Sequence, residues 1–357
     1  MALGHAALAS PLSLAHAGAC TSLGATAQET SFLYRVGAAG MREGAILDAT
    51  QQAATLCTVP TLDPFLVGPA RLYALLELAL NDFKREAGDA YAALRVKLLV
   101  LLAESFSQRL PNGGNRADLV AGDMRDRTRA ALGVTTTLET LTGDVAGFGQ
   151  ALPKLASELV QGAFDVALVV AAHSDYEPER LVSLSERGRL FSPDNLDGLI
   201  PGEGAAVLAL ATPSAARRFQ LPLTAQILSA AAAFEKATPD NDESAFEAAG
   251  MTVAVRRAYE AAPLRGRRIG WLMSDLNLEM FRAYEFQAVM ARTQKLFGPP
   301  QVYDMPAHRL GHLGATTMPM HLILAARAWR HGFAPDAFML SMAGSDNGAR
   351  TSFVASA

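Results

Sequence analysis

Cysteine is nearly absent: only Cys20 and Cys57 occur among 357 residues, in no metal-like spacing. That excludes a disulfide framework and a cysteine-built zinc site, and it fits a reducing compartment. Long apolar runs are missing too, since none approaches the roughly eighteen residues of a membrane span, and no membrane contact is expected. Neither sign of charge prevails, because 35 acidic residues against 31 basic ones leave a formal net charge of −4. Binding of nucleic acid or of an anionic surface calls for a larger imbalance. The basic cluster Arg265, Arg267 and Arg268 and the mixed run Asp123 to Arg129 therefore read as solvated faces. Short repeats and low-complexity tracts are lacking, which excludes solenoids and disordered tails. The first twenty residues have the small-residue look of a secretion signal. However, the first basic residue is Arg35, and His5, Pro11 and His16 interrupt the apolar run, so a cytoplasmic protein is the expectation.

What the chain does have is enough apolar content, 50% of residues, for a substantial core. Strand-like runs fall at Lys97–Leu102, Val134–Leu141, Val166–Ala171, Ala205–Ala211, Leu223–Ala231, Ile269–Ser274, Ala337–Met342 and Thr351–Ala355. Helical spacing covers Pro69–Ala87, Leu152–Gln161, Ala245–Ala261, Met280–Leu296 and Thr317–Gly332. This alternation predicts an α/β protein with helices packed on mixed sheets. Loops are expected at 111–116, with its Asn-Gly-Gly-Asn, and at the acidic 238–243.

The main chemical signal lies in residues 143–171, GDVAGFGQALPKLASELVQGAFDVALVVA. Val145, Phe148, Leu152, Leu155 and Leu159 recur at spacings of three and four, Gly162 closes the helix, and a buried strand follows. The start of such a helix is where unpaired N–H groups and the dipole favour a thiolate. Here the helix starts near Val145, and no nucleophile stands there. Pro153 is expected to kink it.

The segment resembles the active-site helix of the condensing enzymes of the thiolase superfamily, above all the ketoacyl synthase III type, Cys-Ala-Gly-Phe-x-x-Ala-Leu. Ala146, Gly147, Phe148, Ala151 and Leu152 match, and Val145 takes the place of the cysteine. Asp197-Gly198-Leu199-Ile200 followed by Pro201-Gly202-Glu203-Gly204-Ala205 is similar to a family turn whose glutamate is mainly structural. With no third glycine and no helix opening after it, this turn is not a dinucleotide site. After the run Ile269–Met273 the family carries His-Gln-Ala-Asn, where this chain reads Ser274-Asp275-Leu276-Asn277. The resemblance thus keeps Asn277 and replaces the histidine by Ser274, an ordinary strand-end hydrogen bonder. Gly311-His312-Leu313-Gly314-Ala315 matches the third motif, and His312 keeps a catalytic residue type that has nothing to activate. His308 and His312 are four apart, but Arg309 stands where a His-Glu-x-x-His zinc motif needs glutamate, so no metal and no cofactor are expected. His321 and His331 read as polar or capping residues of the following helix. Ser341–Arg350 resembles the family's closing strand and glycine-rich turn, but its Ser345-Asp346-Asn347 is charged and poorly suited to an acyl chain.

The resemblance runs from about residue 95 onward, and more weakly over residues 8–13. It implies a thiolase-like, five-layered α/β fold with two pseudo-duplicated halves, residues 1–212 and 213–357, divided near Pro213–Pro222. It further implies a catalytically inert adaptor, chaperone or partner subunit, as a homodimer or as a heterodimer with a related synthase. Chain-length factors and the degenerate ketosynthase-like proteins that accompany bacterial type VI secretion effectors are precedents. The run from Thr21–Gly24 to Gly37–Gly40 is similar to the second group. The alternative is an acyl-CoA- or acyl-carrier-protein-dependent acyltransferase, decarboxylase or hydrolase, or a non-covalent acyl-CoA binder, that uses His312 and Ser274. Residues 41–95 have no counterpart in register and are a candidate partner surface.

Overall fold

The computed structural model describes residues 7–47, 51–110, 113–241 and 244–357. His5 and the edges of the two predicted loops, residues 111–112 and 242–243, lie outside the described residues. The strands are β1 (Leu12–Thr21), β2 (Arg42–Leu47), β3 (Ala53–Leu56), β4 (Val96–Leu101), β5 (Thr136–Leu141), β6 (Val166–Ser174), β7 (Glu203–Ala211), β8 (Ala225–Phe234), β9 (Ile269–Ser274), β10 (Phe297–Asp304), β11 (Phe338–Gly344) and β12 (Ala349–Ser356). The helices are α1 (Ala27–Arg35), α2 (Gly68–Ala87), α3 (Arg116–Leu132), α4 (Gly147–Val160), α5 (Pro178–Glu186), α6 (Pro213–Arg218), α7 (Ala249–Ala261), α8 (Met280–Thr293), α9 (Ala307–Leu310) and α10 (Thr317–Arg330).

Ten strands form one mixed sheet in the order β10-β9-β11-β12-β8-β1-β7-β6-β4-β5. The first-half strands run β5-β4-β6-β7-β1, and the second-half strands run β10-β9-β11-β12-β8. Numbered within each half, both follow one order with the same parallel and antiparallel pairings. The halves are therefore pseudo-duplicates, joined where Leu12–Leu14 of β1 pair with Ala225–Ile227 of β8. Residues 12–20 of the signal-like segment thus lie in a central strand.

Alternation along each strand explains the layers. Ala167, Val169 and Ala171 of β6 point into one apolar cluster, and Val166, Leu168, Val170 and Ala172 into another. Such a strand is apolar throughout because helices cover both faces. The inner cluster takes residues from both halves and encloses α4 and α10. An outer cluster packs α2 and α3 on the first half, and a further one packs α7 and neighbouring α8 residues on the second. The result is helix, sheet, helix, sheet, helix.

In α4, Phe148 is fully buried and meets Phe353 edge-on at 6.0 Å, worth about 2–3 kcal/mol of burial. Gly149 is required beside it, since a Cβ there would come within 2.7 Å of Thr351. The helix runs to Val160 without interruption at Pro153. Among the described residues no helix is long and apolar enough to cross a membrane.

Candidate functional site

The carboxyl ends of the central strands and the loops after them meet at the start of α4. Asp144, at the turn, adopts a left-handed φ of +49°, a conformation that aspartate tolerates better than most side chains. It is followed by Val145, whose side chain is buried in the inner core at 5% exposure. The next N–H, that of Ala146, donates to Ser345 Oγ at 2.9 Å, and the same hydroxyl donates to the Gly143 carbonyl at 2.9 Å. The closing turn predicted to depart from the family's glycine-rich form therefore packs against the helix start and satisfies one of its free N–H groups.

Ion pairs fill the space beyond. Asp346 accepts from Arg189 Nη1 at 2.8 Å and Arg282 Nη2 at 2.9 Å. Burial would raise its carboxyl, but the two guanidiniums outweigh this and hold it below the usual carboxylate range. Arg189 also binds Glu279 at 2.6 Å, and fully buried Arg350 binds Glu285 at 2.6 Å. Asn277 is tied into the network through Glu279, at 2.7 Å from Oε2. Burial pushes the Asp275 carboxyl up, and its Oδ2 accepts the Gly344 N–H at 2.8 Å. On the inner side, beside Val145, Asn277 and His312, lies a cavity of about 30 Å³. That is well short of the roughly 150 Å³ of a cavity that holds one benzene.

Ser274 ends β9, is buried, and accepts the Leu276 N–H at 3.1 Å. His312 is positioned by backbone: its N–H donates to the Ile200 carbonyl at 2.7 Å, so the Pro-Gly-Glu-Gly turn holds the Gly-His turn. Glu203 within that turn is fully buried and binds Arg71 through both oxygens, at 2.6 and 2.8 Å. His308 and His312 do not come together, because α9 ends at Leu310 and His308 instead faces the Asn277 carbonyl at 3.4 Å.

His312 meets two residues that sequence reasoning missed. Its Nδ1 lies 2.7 Å from Asp175 Oδ2, and His173 Nε2 lies 3.3 Å from the same oxygen. Arg180 holds the other Asp175 oxygen at 3.1 Å. Burial alone would lower His312 and raise Asp175. Their attraction wins, so His312 is raised and Asp175 lies well below the ordinary range. The only available signal was the change from apolar to polar at the carboxyl end of β6, where α/β proteins place their sites. Across this trio opens a cleft of about 500 Å³ that Asp144 and Asp346 also line. The cysteines take no part: both are unpaired and buried, and burial pushes each thiol up to about 12. The site thus offers an imidazole oriented by a carboxylate, with valine at the helix start.

No family model matches this sequence, and no curated protein matches it. Solved structures do. The ishigamide ketosynthase/chain length factor is 18% identical, with 97% of this chain and 99% of that one covered at a TM-score of 0.77. A type II PKS ketosynthase solved with its acyl carrier protein is 13% identical, with 98% and 99% covered at 0.75. The ketosynthase from module 6 of the bacillaene synthase of Bacillus subtilis is also 13% identical, with 97% and 72% covered at 0.75. At these identities the likeness is one of fold, and the chain has the thiolase-like ketosynthase fold.

Proposed function

We propose that the chain is a non-catalytic, ketosynthase-like subunit that acts by holding a protein partner in the cytoplasm. The observation that carries this reading is Val145 at the helix start, with no lone pair to offer as a nucleophile. The filled interior agrees with it, since about 30 Å³ leaves no room for an acyl chain. A neighbour of similar fold is a ketosynthase/chain length factor and another was solved with an acyl carrier protein, which supports a related synthase or a carrier as partner. β5 and β10 end the sheet, and each leaves an edge, unpaired among the described residues, to which a second copy or a related subunit can add. The repeated strand order supports a division of the scaffold into 1–212 and 213–357. In its narrowest form the partner is a type VI secretion effector, which rests on the resemblance of residues 21–40. Crosslinking and co-purification from the native host test the reading. An effector supports the narrow form, an active synthase supports a chain-length-factor role, and a chain that stays monomeric and partnerless defeats both.

The His312–Asp175 hydrogen bond favours a second reading: hydrolysis of a thioester, with His312 as the base that takes a proton from the attacking water, or decarboxylation of a malonyl thioester, with His312 as the donor that stabilises and then protonates the enolate left when carbon dioxide departs. Turnover of malonyl-CoA that is abolished by His312→Ala and untouched by Cys20→Ala and Cys57→Ala would establish it in place of the first.

A further inference from the structure

We propose that His173, Asp175 and His312 bind one divalent transition-metal ion of the zinc class. Two imidazoles and a carboxylate are a donor set that suits zinc, cobalt or ferrous iron rather than calcium or magnesium. The three offer ligand atoms that all lie within 4.8 Å of one another. Around a tetrahedral ion with bonds of about 2.1 Å, ligand atoms stand about 3.4 Å apart. The His173–Asp175 separation of 3.3 Å already fits. The His312–Asp175 contact of 2.7 Å opens slightly as a hydrogen bond is exchanged for coordination.

A second observation points to a ligand. The His173 side chain is 6% exposed, and its Nε2, although 3.3 Å from Asp175 Oδ2, makes no well-directed hydrogen bond among the described residues. A buried polar atom left in this state is destabilising, and a cation on that nitrogen removes the cost. The surroundings also suit a metal. Arg180 occupies Asp175 Oδ1 and leaves Oδ2 facing the imidazoles, so the carboxylate is oriented from behind, as metal-bound carboxylates commonly are. Gly314 makes room for the ring: its φ is +45°, and a Cβ there would lie 2.1 Å from His173 Nδ1. Arg180 opposes an incoming cation. Asp144 offsets it, since it lines the same cleft with a buried Oδ1 that has no partner among the described residues. The cleft gives the ion a path from solvent, and three protein ligands leave a fourth position for water. The site does not depend on the partner-subunit reading.

The test uses the full chain with any histidine tag removed, stripped with EDTA and titrated with Co²⁺ and then Zn²⁺. One equivalent is expected, with Zn²⁺ displacing Co²⁺ and raising the melting temperature. His173→Ala, Asp175→Asn and His312→Ala should each weaken binding at least about tenfold, whereas His308→Gln leaves it unchanged. Should a variant fail to fold, anomalous scattering from Co²⁺-soaked crystals of the unaltered chain decides. A peak bonded to the three side chains upholds the site. Substoichiometric binding, affinity unchanged in the folded variants, or a peak elsewhere overturns it.

Discussion

Nδ1 of His312 lies 2.7 Å from Oδ2 of Asp175, a hydrogen bond between residues 137 apart in the chain. It ties the end of β6 to the Gly-His turn, and it gathers His173 and Arg180 around one carboxylate that is 2% exposed. Removing that charge leaves the imidazoles and the guanidinium in place without their counterion. Asp175→Asn should therefore cost about 2 kcal/mol in the metal-free protein, less than a wholly buried pair because Arg180 is partly solvated. Urea unfolding with EDTA present measures it, and a loss below about 0.5 kcal/mol, the scale of an ordinary surface change, would show the carboxylate to be dispensable.

Restoring the missing atom should not restore the chemistry. Val145→Cys places a thiol in a buried position, where Cys20 and Cys57 show how burial pushes such groups up to about 12. The Ala146 N–H remains engaged by Ser345, and the adjoining cavity of about 30 Å³ admits no acyl chain. Intact-mass spectra after incubation with acyl-CoA should show no adduct on the variant. Stoichiometric acylation would mean that the interior opens and that only the nucleophile was lost.

Which of these features could be seen in the sequence follows from the range of the forces involved. Strands such as Ile269–Ser274 were legible because two covered faces demand an unbroken apolar run. β10 was not, since Pro299-Pro300 reads as a breaker. The structure tolerates the pair because β10 is an edge strand, with no partner on its outer side among the described residues. α3 was hidden by its charges, although Ala117, Val120, Ala121 and Met124 already carry the spacing of a buried stripe. In the site, Val145, Ser274, Asn277 and His312 were located by local motifs. Asp175 and His173 belong to no motif and acquire meaning only where β6 and the Gly-His turn meet.

Glu203 provides a stability test away from the cleft. It and Arg71 are at most 2% exposed, and Arg71 also lies over the Tyr176 ring at 4.1 Å. Glu203→Gln leaves a buried guanidinium uncompensated and should cost about 3 kcal/mol. Glu77, whose pair with Arg127 is exposed, supplies the control, and Glu77→Gln should cost under about 1 kcal/mol. Equal losses in chemical denaturation would show that burial of the Arg71 pair adds nothing.

His321 sets an acid limit. The ring is fully buried in α10, Nδ1 lies 2.9 Å from Ser341 Oγ, and Nε2 has no partner among the described residues. Burial pushes the imidazole down from its ordinary 6.5 to about 3, so over that interval the unfolded chain holds a proton that the folded chain refuses. Folding stability contributed by this group is complete above about pH 6.5 and is lost as pH falls towards 3, at up to about 1.4 kcal/mol per pH unit. Asp346, held low in the folded state, acts in the same direction at lower pH, and His312, held high, acts in the opposite one. Both are common to the unaltered chain and to His321→Gln, so their effects cancel in the difference between the two proteins. That difference should shrink as pH drops from 7 to 4.5, by an amount approaching one proton's worth per unit. Parallel stability curves would show instead that His321 protonates in place, with the helix yielding around it.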